Sequence, residues 1–403
     1  MSQGRSRRGL GLFLAALLTI AGFGLAARTA TRPDANHSAN SVSPQSSAGL
    51  KYQQGWLGAD DAYSIPLGDG RSLWVFGDTF IGATPDATRG PSSAFIRNSI
   101  AITSCAAGKC SIEYFWGHKD GKPDSMFSIP GPDWLWPMDG VVQDGTLYIG
   151  MMQMHVENGG GAMGFGFSSI LLASIPNYTA PPDQWKVSYQ QLNKNGDAIP
   201  GISIVVRQGP GGNPDPSNPR GADYAYFFTL VQGKGLGTQH MGLIRILLNQ
   251  LNNAARPGSS AWEYLRADST WAAWNGTETT LPKNSAVLLK PGATEMTVRY
   301  HEATKQWLAI YPIAFQQEAE YSLTDSITRG WKSSRTLYDY PEMKTANANY
   351  TPHVFCYAVK EHVEFEKPGQ LVFSYACNST EEKEVLQNSY LYHPVVVTLP
   401  FPK

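Results

Sequence analysis

Residues 56–80 read Trp-Leu-Gly-Ala-Asp-Asp-Ala-Tyr-Ser-Ile-Pro-Leu-Gly-Asp-Gly-Arg-Ser-Leu-Trp-Val-Phe-Gly-Asp-Thr-Phe. Two strand-like runs, 62–67 and 72–76, flank Gly68-Asp69-Gly70-Arg71, whose residues tolerate the positive φ of a tight turn. The stretch therefore reads as a β-hairpin. Counting outward from Asp69 brings Asp60 opposite Asp78 at the open end. Carboxylates facing one another across a strand pair have Cβ atoms about 4.5–5.5 Å apart, and at that range they titrate as a unit. One keeps its proton while the other is charged, which is the division of labour acid–base chemistry needs. The alternative is an Asx-type turn at Asp78 with Asp60 on a solvated rim. Opposed acids stabilise nothing in a plain hairpin, and this favours the catalytic reading.

The rest of the 403-residue chain points to an all-β protein. Forty glycines, 27 prolines and 11% aromatic residues describe short strands, many turns and ring surfaces suited to sugars. With 32 Lys+Arg against 33 Asp+Glu, there is neither a basic footprint for nucleic acid nor an acidic disorder signature. At the N-terminus, Arg5, Arg7 and Arg8 precede the apolar run 9–27, and small residues follow. Residues 1–27 thus read as a secretory signal, or, if uncleaved, as a membrane anchor. Residues 28–48, rich in Ser, Asn, Ala and Pro, read as a disordered linker, leaving 49–403 as the folded domain.

Apolar, aromatic-rich runs beside turns recur at Leu73-Trp74-Val75-Phe76, Leu147-Tyr148-Ile149-Gly150, Tyr226-Phe227-Phe228-Thr229, Trp307-Leu308-Ala309-Ile310-Tyr311 and Leu371-Val372-Phe373-Ser374-Tyr375. The intervals hold a four-stranded antiparallel sheet each, so the expected fold is a five-bladed β-propeller. Residues 243–255 read equally as a helix or as a strand over 244–248. The same turn counting puts Asp139 and Glu295 at the open ends of their hairpins, so Asp60, Asp78, Asp139 and Glu295 gather around one mouth of the channel. Rim acids are also commonly just solvated. Trp56, Tyr63, Trp134 and Trp136 lie near that mouth as sugar-stacking candidates, against the ordinary use of such rings in blade packing. The glycine-rich stretch 157–166 leaves from the rim of Asp139 as a lid or a plain surface loop, and 209–221 is an irregular connection.

Several chemistries are excluded. The spacing of Gly159, Gly160, Gly161, Gly164 and Gly166 fits no phosphate or dinucleotide loop, and His301 has no second histidine four residues on. Gly166-Phe-Ser168 lacks the closing glycine of a nucleophile elbow. No Cys-x-x-Cys occurs, so no zinc or redox motif is expected. In an exported chain the four cysteines instead suggest disulfides. Cys105 and Cys110 bracket a short turn, while Cys356 and Cys377 face each other across a hairpin that turns near Lys367 and Pro368.

Gly58-Ala59-Asp60, Tyr63-Ser64-Ile65-Pro66-Leu67, Phe76-Gly77-Asp78-Thr79-Phe80, Trp136-Pro137-Met138-Asp139-Gly140 and Lys360-Glu361-His362 together resemble the exported bacterial five-bladed propellers related to glycoside hydrolases, a group that includes endo-D-arabinanases. Asp325-Ser326-Ile327-Thr328, with Gly330-Trp331, is similar to a strand of furanosidase propellers, with Arg329 inserted. The resemblance spans about 56–379 and is strongest in the first blade. It implies a secreted, periplasmic or surface-anchored monomer that cleaves furanosidic, arabinan-type linkages in a polysaccharide or oligosaccharide. Asp60 and Asp78 are then the acid pair, Asp139 orients or tunes them, and Trp56, Tyr63, Trp136, Lys360 and His362 contact substrate. Glu295 enters as general acid from its rim position alone. The family usually has proline where Val363 follows His362 here. No organic cofactor is implied, and a structural calcium ion or water in the channel is compatible with the fold. The rival expectation is a non-catalytic propeller that binds carbohydrate or another surface. Asn36, Asn177, Asn275, Asn349 and Asn378 head Asn-x-Ser/Thr sites, of consequence only in a glycosylating host.

Overall fold

The structure, a computed structural model, describes residues 50–402 except 51–52, 54, 83–88, 91, 107–108, 158–163, 195, 207–223, 234–237, 254–261, 275–279 and 314–315. The signal and linker segments, the centre of the glycine-rich loop, the connection 209–221, Asn36 and Asn275 lie outside the described residues.

The chain folds as a five-bladed β-propeller. Blade 1 contains β1 (Trp56–Pro66), β2 (Arg71–Ile81), β3 (Ala94–Ile96), β4 (Ser99–Ala106) and β5 (Lys109–Phe115), ordered β1-β2-β4-β5 with β3 also paired to β2. A small hairpin of β6 (Gly117–Lys119) and β7 (Lys122–Asp124) follows. Blade 2 is β8 (Trp134–Gln143), β9 (Thr146–Val156), β10 (Phe165–Ile175) and β11 (Ser188–Lys194). Blade 3 is β12 (Ala198–Val206), β13 (Tyr224–Val231), β14 (His240–Leu247), β15 (Glu263–Leu265) and β16 (Trp271–Ala273). Blade 4 is β17 (Thr297–His301), β18 (Gln306–Pro312), β19 (Glu318–Thr324) and β20 (Arg335–Asp339). Blade 5 has three strands: β21 (Val354–Glu361), β22 (Gln370–Ser379) and β23 (Val395–Pro400), with the short helix α1 (Glu382–Gln387) before the last.

The first strand of each blade lines the axis. β1 packs on β8 and β21, β8 on β12, β12 on β17 and β17 on β21, which closes the ring. The five apolar runs seen in the sequence are the second strands β2, β9, β13, β18 and β22. They read as nearly continuous hydrophobic stretches because each is covered on both faces, as Leu73, Trp74, Val75 and Phe76 are, all fully buried. At the ambiguous segment, β14 ends at Leu247 and a short 3-10 helix, Leu248–Asn253, follows.

The first hairpin keeps the expected register at Pro66↔Ser72 through Tyr63↔Val75, and again at Ala59↔Thr79 and Gly58↔Phe80. Between these, Asp61 pairs with Phe76, so Ala62 is extra in β1 and Gly77-Asp78 lie opposite Asp60. The direct pairing of Asp60 with Asp78 is thus replaced by two compensating bulges. Bulges re-aim side chains at barrel and propeller rims, and here Asp61 and Ala62 take φ values of 74° and 66°. Both expected disulfides are present. Cys105–Cys110 closes the β4–β5 turn, and Cys356–Cys377 joins directly opposed residues of β21 and β22.

Candidate active site

Asp60 is fully buried on β1. Its Oδ2 accepts hydrogen bonds from the hydroxyls of Tyr357 on β21 and Tyr392 beyond α1, each at 3.0 Å. Oδ1 has no hydrogen-bond partner among the described residues and rests against Gly77, where a Cβ would come within 2.6 Å of it. A side chain at 77 would therefore displace the Asp60 carboxyl. Burial above all, then the charges of Asp78, Glu295 and Asp61, push the Asp60 carboxyl well above its usual range.

Asp78 sits on the bulged segment of β2. Its Oδ1 accepts from Trp136 Nε1 at 2.8 Å and its Oδ2 from Arg97 Nη1 at 3.1 Å. Burial raises its affinity for a proton, and Arg97 and Trp136 oppose that rise. Asp60 has no such cation, so of the two carboxyls it holds a proton more tightly. Glu295, just before β17, is pushed up to about 7 by burial, against the pull of Lys360 and with a contribution from Asp61. Asp78 and Glu295 each keep 8% exposure while Asp60 keeps none. Asp61 keeps the same 8%.

Deeper in the channel, Lys360 is completely buried, 3.0 Å from Asp61 Oδ1, with its ammonium 4.3 Å above the Tyr63 ring. Tyr63 in turn donates to Ile202 O at 2.7 Å. Asp139 is held from every side. Arg299 grips both oxygens at 2.8 Å, Ser203 and the Ile204 amide donate to Oδ2, and the Gly140 amide donates to Oδ1. Asp139 accordingly ties blades 2, 3 and 4 together, and it reaches the other acids through Asp61, whose carboxyl is raised by burial and then, against Lys360, by Asp139.

The expected sugar contacts are placed differently. Trp56 is buried against Tyr114 and Phe76, with ring centroids at 4.5 and 5.2 Å, and offers no free face. Tyr63 and Lys360 are interior channel residues, and His362 is locked between Ser64 Oγ at 2.7 Å and Ser374 Oγ at 2.9 Å. Burial, then Arg299 and Lys360, hold that imidazole neutral. Tyr63 and Lys360 fill a narrow five-bladed ring, whereas Trp56 and His362 are packed in the core between blades 1 and 5. Trp136 is at the mouth, where its indole N–H serves Asp78. Beside it Trp134 carries the Arg97 guanidinium 4.3 Å above its ring.

Sequence reasoning missed Arg97, in the turn between β3 and β4, and Tyr357, Tyr392 and Arg299, which enter from blades or loops remote in sequence. Asp61 had one available signal, its position next to Asp60.

Residues 48–399 match the family described as a domain of unknown function, DUF5005. The chain belongs to the DUF5005 family. No protein of curated function matches this DUF5005 chain. Among solved structures, a candidate hydrolase from Bacteroides ovatus ATCC 8483 superposes with a TM-score of 0.64 at 16% identity, over 86% of each chain. That similarity shows the fold. An exo-1,5-alpha-L-arabinanase from a bovine ruminal metagenomic library gives a TM-score of 0.41 at 10% identity, over 88% of this chain and 96% of its own. The RS223 beta-xylosidase gives 0.41 at 12% identity, over 85% and 92%.

Proposed function

We propose that this DUF5005 protein is an exported glycoside hydrolase acting on furanosidic, arabinan-type linkages of a polysaccharide. The observation that carries the reading is the unequal treatment of neighbouring carboxyls: Asp78 beside Arg97 and Trp136, Asp60 buried without a cation, and Glu295 raised to about 7. Glu295, protonated below neutrality, is the general acid for the departing oxygen. Asp78 is the carboxylate that attacks the sugar or activates water. Asp60, oriented by Tyr357 and Tyr392, is a positioning residue whose burial without a cation leaves the negative charge to Asp78. The furanoside class rests on the sequence resemblance and export on the basic and apolar segment 1–27, and the chain works as a monomer without organic cofactor.

The test is reducing-sugar release from arabinans, arabinogalactans and other furanose polymers by wild type, Asp78→Asn and Glu295→Gln. Release that both folded variants lose supports the reading. No release, with sugar binding intact in all three proteins, replaces it with a non-catalytic binding propeller.

A further inference from the structure

His301 and Glu361 are the last residues of β17 and β21, and Glu295 lies just before the other end of β17. Glu366, after the 3-10 turn Val363–Phe365, joins them. His301 Nε2 is 2.6 Å from Glu361 Oε1, and Nδ1 is 3.7 Å from Glu366 Oε2. One ligand-type atom from each residue lies within 4.8 Å of the other two.

A histidine between two acids is by itself only a salt network, and two features go beyond that. Glu361 is 1% exposed, yet neither of its oxygens has a hydrogen-bond partner among the described residues. Its short approach to His301 is out of hydrogen-bonding alignment, since Nε2 is likewise unpartnered. Glu366 Oε1 accepts from the Val372 amide at 3.2 Å, which leaves Oε2 toward His301. Arg299, on the same strand as His301, has its guanidinium committed to both oxygens of Asp139 and gives Glu361 no hydrogen bond. Buried carboxylates left in that state are expensive unless a cation meets them.

We infer that His301, Glu361 and Glu366 bind one divalent transition-metal ion of the zinc class, clamping blade 4 to blade 5. One imidazole nitrogen and two carboxylates, with solvent completing the shell, form a donor set for such an ion. Calcium takes six to eight oxygen ligands, so the calcium ion compatible with the channel on sequence grounds does not fit this site. The His301 ring is held by Phe401, with centroids 4.4 Å apart. No spacing motif announces the site because its ligands come from two blades and a turn.

The experiment uses the full chain, stripped with EDTA and re-equilibrated with Zn²⁺, Co²⁺ or Ca²⁺, with elemental analysis and thermal melting. The expected result is about one bound zinc per chain, a higher melting temperature with Zn²⁺ than with Ca²⁺, and visible cobalt absorption. Glu361→Gln and His301→Ala abolish these. Glu366→Gln, whose side chain is at the surface of the cluster, keeps the fold and weakens zinc binding about 10-fold or more. Absence of bound zinc in the wild type, equal zinc in wild type and the three variants, or stabilisation by calcium alone overturns the inference.

Discussion

Tyr392 donates a 3.0 Å hydrogen bond to Oδ2 of Asp60, 332 residues earlier in the chain. The segment that ends the fold thus orients a carboxyl of the first blade, and Tyr357 does the same from β21. Tyr392→Phe is expected to lower stability by about 1 kcal/mol, the net worth of one hydrogen bond. Tyr357→Phe/Tyr392→Phe should lose more than either single change, because Asp60 is then buried with neither oxygen satisfied. Urea denaturation of the three variants measures this, and an unchanged midpoint in the double variant contradicts it.

Asp78→Asn should reduce turnover by about 100-fold or more, the usual scale for losing a proton-transfer or nucleophilic group. Arg97→Ala acts on the same carboxyl from outside. Without the cation that opposes its rise, Asp78 holds its proton to higher pH, so the acid limb of the rate profile moves upward. A profile that keeps its acid limb in Arg97→Ala assigns that limb to another group.

Glu295 gives a stability prediction with a definite sign. Its carboxyl is raised to about 7 in the folded chain from an ordinary 4.5, so the native state holds a proton that the unfolded chain gives up. Stability from this group is full below about pH 4.5 and is lost as pH rises through about 7. Glu295→Gln removes the dependence, and relative to the variant the wild type should lose up to about 3 kcal/mol over that interval. Parallel pH-stability curves for the two proteins would exclude the assignment. In activity, the alkaline limb near pH 7 should vanish with the same substitution.

Lys360→Met leaves Asp61 without its cation inside the channel. Breaking a buried pair from one side costs about 3–5 kcal/mol, far more than an exposed pair would. Pairing it with Asp61→Asn should recover part of the loss, which a double-mutant cycle reads directly.

Blade number was legible because second strands are apolar on both faces, so Leu73-Trp74-Val75-Phe76 and its four counterparts stand out without sequence identity. The disulfides were legible because Cys356 and Cys377 obey hairpin counting. The site was half legible. Turn counting put Asp60 and Asp78 at one level of the hairpin, yet it carries no information on bulges, which depend on how β1 bends around the axis. It also cannot distinguish an interior residue from a solvent-facing one, and for that reason Trp56, Tyr63, Lys360 and His362 read as substrate contacts. Arg299 and Tyr392 left no local trace, since only ring closure brings them beside Asp139 and Asp60.

Blade 5 shares no strand with blade 1 among the described residues. Point contacts span the seam instead: Arg89 bonds the Leu57, Val385 and Tyr392 carbonyls, Ser64 meets His362, and Asp60 receives Tyr357 and Tyr392. The seam and the site carboxyls are consequently one mechanical unit. A ring opened at this joint loses the tyrosine grip on Asp60 in the same event, so the activity proposed above and ring closure would share a single equilibrium. Amide exchange along β1 and β21 should then slow together when the mouth is occupied, like a clasp tightened by what it holds.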